Sequence, residues 1–503
     1  MDLLSNLAMG FSVASSLSNL LFCLIGVILG TLIGVLPGIG ATATIAMLLP
    51  ITFQLEPVSS LIMLAGIYYG AQYGGSTTAI LINMPGESSS AVTAIDGYQM
   101  ARKGRAGAAL AIAALGSFFA GTVSTFLVAL FAPPLTTIAL KFGAAEYFSL
   151  MVLGLVMSVV LAHGSILKAL AMVILGLLLG IVGTDIYTGT PRFTLGITEY
   201  ADGLNFVALA VGVFGIAEIL RNLEDEHGER QVMTANIRNL WPTRDDFRAM
   251  AGPVLRGTGL GSVLGILPGG GAILASFASY TVEKKISKTP QEFGKGAIAG
   301  VAGPESANNA GAQTSFIPLL TLGIPANPVM ALMIGAMIIQ GIVPGPNVVS
   351  EQPALFWGII ASMWIGNLML VILNLPMIGL WVRLLSVPYY ILFPIIMAMC
   401  SIGVYSVSSN TFDLYAVAFF GLLGYVMSKL RFEPAPLLLG FVLGPLLEEN
   451  LRRAMILSRG DPMTFITRPI SLTLLVIAFA VLVLVFLPSV RKNRDEVFAE
   501  SEG

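Results

Sequence analysis

Long apolar stretches separated by short polar segments dominate this 503-residue chain. Residues 3–55, 106–140, 306–350 and 352–382 contain no Asp, Glu, Lys or Arg. Each stretch can hold at least one bilayer-crossing helix, because such a helix needs about 20 predominantly apolar residues. The pattern predicts transmembrane spans near residues 18–36, 58–82, 106–132, 146–162, 165–183, 204–220, 252–267, 297–323, 326–343, 352–382, 386–408, 411–428 and 466–488.

Three further apolar stretches, at 38–53, 270–281 and 433–447, are too short to cross a bilayer comfortably, which favours re-entrant or broken helices. The chain is therefore predicted to be an all-α polytopic membrane protein. A hydrophilic segment divides it, and basic residues after Leu487 predict a cytoplasmic tail. The predicted organisation is a first membrane repeat (1–220), a hydrophilic connecting segment (221–250), a second membrane repeat (251–465), and a C-terminal transmembrane helix with its tail (466–503).

Composition excludes several other classes of protein. Charged residues make up 11% of the chain and hydrophobic ones 56%, with a mean hydropathy of +0.86, which excludes a water-soluble enzyme, a disordered chain and a coiled coil. Two distant cysteines and two histidines offer no disulfide framework or His-based zinc site. A net charge of −2 gives no electrostatic footprint for nucleic acid. The sequence has no phosphate-binding loop and no hydrolase motif, so it predicts neither an ATP-driven motor nor an enzyme.

The two halves carry the same signals in the same order. Leu-Pro-Gly-Ile-Gly at 36–40 recurs as Leu-Pro-Gly-Gly-Gly at 267–271, and each copy is followed by Gly-Ala-Gln and then by Pro85 or Pro325. In the first half the basic loop follows Pro85, whereas in the second half it follows the Leu-Pro-Gly motif. If basic loops are cytoplasmic, the halves form an inverted repeat, which is common among secondary transporters. Two unrelated Pro-Gly kinks are the alternative.

Each Leu-Pro-Gly motif predicts a helix broken at membrane depth. Such a break frees backbone groups, which are tolerated only beside protein or a water-filled cavity. Half-helix N-termini attract anions, and half-helix C-terminal carbonyls coordinate cations. Close helix packing through small residues is the alternative. The predicted hairpin tips and cation site, with Na⁺ as the ion, comprise Pro37, Gly38, Gly40, Thr42, Pro268, Gly269, Gly271 and Ser276.

Neutral hydrogen-bonding side chains follow each break. Hydroxyl and amide groups can bind a carboxylate without carrying a charge, which suits an anion that must also be released. Hydroxyls that bond back to their own helix are the alternative for any single Ser or Thr. The adjacent amides of Asn308 and Asn309 are more indicative, because two large amides in a charge-free apolar stretch need partners. The predicted substrate site comprises Ser76, Thr77, Thr78, Asn83, Pro85, Asn308, Asn309, Gln313, Thr314 and Ser315.

Three acidic residues, Glu87, Asp96 and Glu305, lie near apolar stretches. Glu305 is either a cation or proton site or an interfacial partner of Lys295. Glu87 and Asp96 are expected in a cytoplasmic loop, near the basic residues at 102–105.

Seven short runs resemble one known family: residues 34–40, 69–76, 83–86, 96–98, 265–269, 304–309 and 322–325. They resemble the large membrane subunit of tripartite tricarboxylate transporters, and the likeness extends from about residue 20 to 450. Ala326 departs from this pattern, where a glycine is common.

The resemblance implies a multi-pass protein of the bacterial inner membrane that imports citrate-like tricarboxylates or other organic carboxylates. It implies coupling to Na⁺ or H⁺ without a further cofactor, and two protein partners: a small membrane subunit and a periplasmic solute-binding protein. Re-entrant hairpins in an elevator-type transport domain would move against a scaffold domain, surrounded by membrane lipids. A homodimer remains open. The competing hypotheses are a channel or scaffold subunit that needs a partner for transport, and an intramembrane enzyme.

Overall fold

The computed structural model describes residues 3–36, 40–160, 162, 165–224, 240–267, 271–384 and 389–486. The first half is built from α1 (Leu3–Ala14), α2 (Leu17–Val35), α3 (Gly40–Thr52), α4 (Pro57–Ile82), α5 (Ala91–Met100), α6 (Ala106–Ala139), α7 (Ala144–Val160), α8 (Ile166–Gly180), β1 (Gly183–Thr184), β2 (Pro191–Arg192), α9 (Phe206–Ala210) and α10 (Ala217–Glu224). Short π-helical segments, Ala101–Arg105 and Val211–Ile216, join α5 to α6 and α9 to α10.

The described part of the second half is also built from helices. It is built from α11 (Arg244–Leu264), α12 (Gly271–Ile286), α13 (Ala299–Thr314), α14 (Phe316–Leu322), α15 (Pro328–Ile339), α16 (Asn347–Glu351), α17 (Pro353–Asn374), α18 (Ile378–Leu384), α19 (Tyr389–Ser408), α20 (Phe412–Lys429), α21 (Pro434–Leu457), α22 (Thr464–Thr467) and α23 (Pro469–Phe486). The hydrophilic connection is thus helical at both described ends, since α10 ends at Glu224 and α11 begins at Arg244.

Apolar helices long enough to cross a bilayer confirm the predicted all-α polytopic membrane protein. Within the described residues, five helical runs meet that length and composition, and further apolar helices are shorter. Helix α8 also presents a row of exposed apolar side chains at helical spacing, Leu167, Leu170, Ile174 and Leu178, as expected of a lipid-facing surface. The five long runs are Leu17–Val35, Ser88–Ala139, Phe206–Glu224, Pro353–Asn374 and Phe412–Lys429.

Some predicted stretches differ from the observed helices; the span predicted at 352–382, for example, is divided into α17 and α18. The single span predicted at 297–323 is divided into α13 and α14, because Pro318 has no N–H with which to continue the helical hydrogen bonds. The short apolar stretch predicted at 433–447 is the first part of the 24-residue α21. Its second part is charged and carries i,i+4 ion pairs such as Glu448–Arg452. A prediction based on hydropathy alone therefore ended this helix too early.

Glycines allow the same close helix contact in both halves. A Cβ on Gly30 of α2 would lie 2.2 Å from the carbonyl oxygen of Ile67 on α4. In the second half, a Cβ on Gly261 of α11 would lie 2.2 Å from the carbonyl oxygen of Ala307 on α13. Each helix that precedes a predicted break therefore touches, backbone to backbone, the helix that carries the predicted polar ligands.

A separate apolar cluster holds α7, α8 and α21 together. Met151, Leu155 and Val159 of α7 pack there against Val173 of α8 and Leu443 of α21. Helix α23 packs on α7, while α21 contacts α15 and α20 of the larger body. The larger body contains α6, which packs against α4, α11, α13, α14 and α17. Whether these parts act as scaffold and moving domains stays a prediction.

An ion-pair cluster fastens the β1–β2 hairpin to the charged part of α21. The Asp185 carboxylate accepts hydrogen bonds from both terminal nitrogens of Arg452, at 3.1 and 2.8 Å, and from the backbone N–H of Tyr187. Arg192 lies 3.7 Å from the same carboxylate and bonds Glu448 at 2.7 Å. The Arg452 guanidinium also stacks 5.1 Å from the centre of the Tyr187 ring.

We expect this hairpin to loosen in strong acid. The hydrogen bonds from Arg452, followed by that from the Tyr187 amide, lower the pKa of Asp185 from 3.8 to about 2. Because the folded-state pKa is the lower one, the contact is complete above about pH 4 and is lost as the pH falls through 2. Hydrogen exchange at residues 187–190, corrected for the intrinsic rate, should show full protection at pH 5 and loss near pH 2.

The variant Asp185→Asn should lose this protection already at pH 6, because the amide cannot pair with both arginines. Asp202→Asn, a change at an exposed aspartate in the same connection, serves as the control and should keep it. Equal protection in Asp185→Asn and wild type at pH 6 would contradict this role for the carboxylate.

Candidate functional site

The first predicted break separates α2 from α3. Helix α3 begins at Gly40, whose φ of 64° is accessible to glycine at no steric cost. Directly after it, the backbone N–H of Ala41 donates to the Glu87 carboxylate at 2.5 Å. A carboxylate of the chain itself therefore lies at the N-terminus of this half-helix, where the helix dipole stabilises an anion. Pro37 and Gly38 lie outside the described residues.

The second predicted break separates α11 from α12. Helix α12 begins at Gly271, which also has a positive φ, of 42°. Asn327 lies against it: a Cβ on Gly271 would be 3.2 Å from the Asn327 side-chain nitrogen. That nitrogen donates to the Tyr68 hydroxyl at 3.3 Å, while the Asn327 side-chain oxygen caps α15 through the Met330 N–H. Pro268 and Gly269 lie outside the described residues.

The turns that bring Glu87 and Asn327 to these glycines are built alike. Asn83 and Gly323 both have left-handed backbones, with φ of 58° and 69°, and each ends the helix before it. Pro85 and Pro325 follow two residues later, and Glu87 and Asn327 two residues after those. Asn83 and Pro85 are exposed, so their visible contribution is to shape this turn; direct contact with a ligand stays a prediction.

Glu305 forms the centre of a buried polar cluster in which both halves meet. It is completely buried on α13 and accepts hydrogen bonds from Ser76 Oγ of α4, at 2.6 Å, and from Thr93 Oγ1 of α5. One turn further along, Asn309 Nδ2 donates to Ser117 Oγ of α6 at 2.7 Å and to the backbone oxygen of Glu305 at 3.1 Å. Four helices thus share one network. Lys295, the alternative partner expected for Glu305, is exposed and makes no ion pair with it.

A small cavity adjoins this cluster. Its accessible space of about 10 Å³ is enough for about one water molecule. The apolar part of the cavity wall comes from Leu110, Ala113, Ala114 and Ile378. The polar groups of its wall are Tyr73, Ser76, Thr77, Ser117, Glu305 and Asn374.

Three predicted site residues carry buried polar atoms without a partner among the described residues. Both side-chain polar atoms of Asn308 lack a hydrogen bond, as do Gln313 Oε1 and Ser276 Oγ. All three side chains are at most 2% exposed. Buried polar groups are normally hydrogen-bonded, and an exception calls for an explanation such as a ligand, an ion or water.

Other predicted ligands bond to nearby backbone instead. Thr314 Oγ1 donates to Ala310 O at 3.1 Å, and Ser315 Oγ to Ala312 O at 2.7 Å. Thr77 bonds in the same way to Tyr73 O while also lining the cavity. These contacts agree with the alternative given in the sequence analysis, in which a single Ser or Thr hydroxyl bonds back to the backbone of its own helix.

Two further threonines lie beside the first break. Thr78 Oγ1 donates to Val35 O at 2.7 Å and so ties α4 to the last residue of α2. Thr42 is half-buried in the first turn of α3.

Four residues that the sequence did not single out as ligands belong to this region. Thr93 and Ser117 bind within the Glu305 network, and Glu87 and Asn327 meet the glycines that begin the half-helices. Glu87 and Asn327 share one recognisable signal, since each stands two residues after the matching proline. Thr93 and Ser117 have no such signal, because hydroxyls of this kind are common in apolar helices.

Asp96 does not lie in a basic surface loop, as was expected. It is fully buried in α5, where its carboxylate accepts the backbone N–H groups of Gly296 and Ala297, at 2.7 and 2.8 Å, and the Tyr280 hydroxyl. The prediction of a loop was wrong because it rested on the basic residues nearby in sequence. It did not take into account the backbone N–H groups of Gly296 and Ala297, which are distant in sequence. Asp96 fastens α5 to the segment that leads into α13.

Within the described residues, no group of three or more His, Cys, Asp or Glu side chains could hold a metal ion. An ion bound beside Glu305 would meet one carboxylate together with neutral oxygens. Such oxygen-only surroundings suit hard cations rather than zinc or copper.

Broken helices with buried polar groups, inside a multi-pass helical body, are the construction of membrane transporters. The family model described as the tripartite tricarboxylate transporter TctA family matches residues 20–439. The chain belongs to this transporter family, which confirms the resemblance found in the sequence.

Two proteins of Agrobacterium vitis are similar to this chain. An uncharacterized 52.8 kDa protein in the TAR-I ttuC′ 3′ region is 68% identical over 502 residues, covering 100% of both chains. An uncharacterized protein in the TAR-II ttuC′ 3′ region is 67% identical over 242 residues, covering 48% of this chain and 100% of its own. No solved structure matches this chain.

Proposed function

We propose that this chain is the large membrane subunit of an ion-driven secondary transporter that imports organic carboxylates, such as citrate-like tricarboxylates, across the bacterial inner membrane. The observation that carries the proposal is the pair of matching helix breaks, together with the buried amide of Asn308, which has no hydrogen-bond partner among the described residues. The family membership gives the transport role, and the chemistry of the site supports an anionic substrate.

The polar groups of the site suit reversible binding of an anion. Within the described residues, Asn308 offers a buried amide group whose two polar atoms have no competing partner, and Gln313 Oε1 also lacks one. A fixed Lys or Arg would bind a carboxylate more tightly and would slow its release. Thr314, which bonds to the backbone of its own helix, becomes available to a substrate when its hydroxyl turns away from Ala310 O.

The energetics of import require coupling to an ion. Moving one negative charge against 100 mV costs about 2.3 kcal/mol, so a trianion costs roughly 7 kcal/mol before any concentration gradient. One entering Na⁺ contributes about 2.3 kcal/mol from the potential and about 1.4 kcal/mol from a tenfold gradient. Two cations barely balance a trianion, which implies at least two coupled cations per cycle or a less charged substrate.

The proposed partners are a small membrane subunit and a periplasmic solute-binding protein that delivers the substrate. A receptor that selects the carboxylate would relieve this chain of much of the discrimination.

The purified chain, reconstituted in proteoliposomes with these two partners, should accumulate radiolabelled citrate or another carboxylate when an inward cation gradient is imposed. Dissipating the gradient with an ionophore should stop accumulation, while exchange of internal for external substrate should continue. Protein-free liposomes with the same gradient are the control. Failure to exchange or accumulate any member of a panel of mono-, di- and tricarboxylates would contradict the proposal.

A further inference from the structure

Glu305 is a buried carboxylate without a positively charged partner. Among the described residues, no Lys, Arg or His forms an ion pair with it, and its side chain is 0% exposed. Helices α4, α6 and α17, which line the adjacent cavity, contain no charged residue, and Glu305 is the single charged residue of α13. Helix α18 contributes Ile378 to the cavity and carries Arg383, which is exposed. The neighbouring α5 adds a second carboxyl group, that of Asp96, which already bonds to backbone N–H groups.

Among the described residues, four other buried carboxylates pair with an arginine, whereas those of Asp96 and Asp413 accept hydrogen bonds from N–H groups. Glu283 on α12 is 2% exposed and receives two hydrogen bonds from Arg256, at 2.8 and 2.7 Å. An ionised carboxylate buried without such a partner is strongly unfavourable. Glu305 therefore needs a positive charge that the described chain does not supply.

The surroundings of Glu305 offer oxygen ligands on several sides. The hydroxyls of Ser76 and Thr93 contact its two carboxylate oxygens, and Ser117 Oγ lines the same cavity. Ser76 Oγ also lies 3.0 Å from the backbone oxygen of Gln72, so its proton can turn to that acceptor and leave a lone pair for a cation. The cavity adds room for about one water ligand or one small ion.

We propose that Glu305, with the hydroxyls of Ser76, Thr93 and Ser117, binds one Na⁺ ion. The proposal deepens the proposed function and rests on it in one respect: bound Na⁺ would be one of the coupling ions. Hard monovalent cations prefer oxygen ligands, and a set of one carboxylate and three hydroxyls supplies these with a net charge that Na⁺ cancels. A proton would also neutralise Glu305, but it would make no use of the surrounding hydroxyl lone pairs.

The site joins the two halves of the chain. Ser76, Thr93 and Ser117 come from the first half, on α4, α5 and α6, whereas Glu305 comes from the second. Asn308 and Asn309 follow Glu305 within one turn of α13, so an ion at Glu305 would lie beside the amides proposed for the substrate. Binding of Na⁺ would thereby fix the position of α13 against α4 and α6.

Thermal unfolding of the purified full-length chain in detergent tests this site without any substrate or partner. Raising NaCl at constant ionic strength, with choline chloride as the replacement salt, should raise the apparent Tm of wild type saturably. Glu305→Gln should lose this response, because the amide carries no charge for the ion. Ser76→Ala and Thr93→Val should each raise the half-saturating Na⁺ concentration about tenfold, which corresponds to about 1.4 kcal/mol of binding free energy.

Glu283→Gln is the matched control. It removes an equally buried carboxylate that has its own arginine, so we expect a lower Tm but an unchanged response to Na⁺. If Glu305→Gln does not fold, the hydroxyl variants still decide the matter. A wild-type Tm that does not depend on Na⁺, or hydroxyl variants with unchanged half-saturation, would overturn the proposal.

The transport assay separates this inference from the proposed function. Carboxylate accumulation driven by a proton gradient alone, with no Na⁺ response of the Tm, would retain the transporter and reject the Na⁺ site. A saturable Na⁺ response that depends on Glu305, in a chain that transports no carboxylate, would retain the site and reject the function.

Discussion

Replacing Asn308 by leucine is expected to abolish carboxylate uptake without lowering the thermal stability of the chain. The Asn308 side chain is completely buried, and neither of its polar atoms has a hydrogen-bond partner in the part of the chain that the structure describes. A buried polar group left unsatisfied costs about 1–3 kcal/mol, so an apolar side chain of similar size should be neutral or stabilising. Uptake should nevertheless fall at least a hundredfold, because a substrate carboxylate would lose an amide ligand. Proteoliposome uptake and apparent Tm, measured on the same preparation, provide the check.

Asn222→Leu is the matched control for this experiment. Within the described residues, Asn222 on α10 is also buried with an unpartnered side-chain nitrogen, but it lies outside α13 and the proposed substrate site, so uptake should persist. Asn309→Ala should also abolish uptake, yet it should lower the Tm because Ser117 loses a partner. Wild-type uptake by Asn308→Leu, or a clear loss of Tm, would show that Asn308 serves the fold and not the substrate.

Gly261→Ala is expected to prevent assembly of the helix pair that carries the second-half ligands. The new Cβ would lie 2.2 Å from the carbonyl oxygen of Ala307, and also 2.8 Å from the Ala310 side chain. Carbon–oxygen contacts normally measure about 3.3–3.6 Å, so α11 and α13 would have to separate by roughly 1 Å. Overpacking of a core typically costs about 1–3 kcal/mol, and a backbone obstacle cannot turn aside as a side chain can.

Size-exclusion chromatography and thermal unfolding in detergent should show aggregation or a much lower Tm for Gly261→Ala. Gly259→Ala, two residues earlier on the same helix, is the control, because a Cβ there meets nothing within 4 Å. The control should be neutral or slightly stabilising, since alanine is the better helix former. A monodisperse Gly261→Ala with wild-type Tm would mean that the two helices are not held at this distance.

Hydropathy predicted most of the helices because amino-acid composition is enough to distinguish a membrane-spanning segment from a loop. It failed where a helix leaves the apolar region without ending, as α21 does after Pro445 through its Glu and Arg pairs. It also failed at Pro318, where one apolar stretch holds two helices. In both cases backbone hydrogen bonding, and not hydrophobicity, decides where the helix ends.

The candidate site was predictable where residues carry unusual conformations or unusual burial. The glycines that follow each Leu-Pro motif, Gly40 and Gly271, do have positive φ angles, and the amide of Asn308 is buried among apolar surroundings. The partners of Glu305 were not predictable, because Thr93 and Ser117 reach it from helices distant in sequence. Hydrogen bonds across helices depend on which faces meet, and a single sequence does not contain that information.

The matching turns at the two breaks carry different polar groups, which matters for the binding of an anion. At equivalent places, the first turn puts the carboxylate of Glu87 against Gly40, and the second puts the amide of Asn327 against Gly271. Two turns of one design therefore place different polar groups at the N-termini of α3 and α12. At α3 a carboxyl group of the chain already accepts the first backbone N–H, whereas at α12 an amide lies against the first glycine, so the two breaks are not chemically equivalent for an anion.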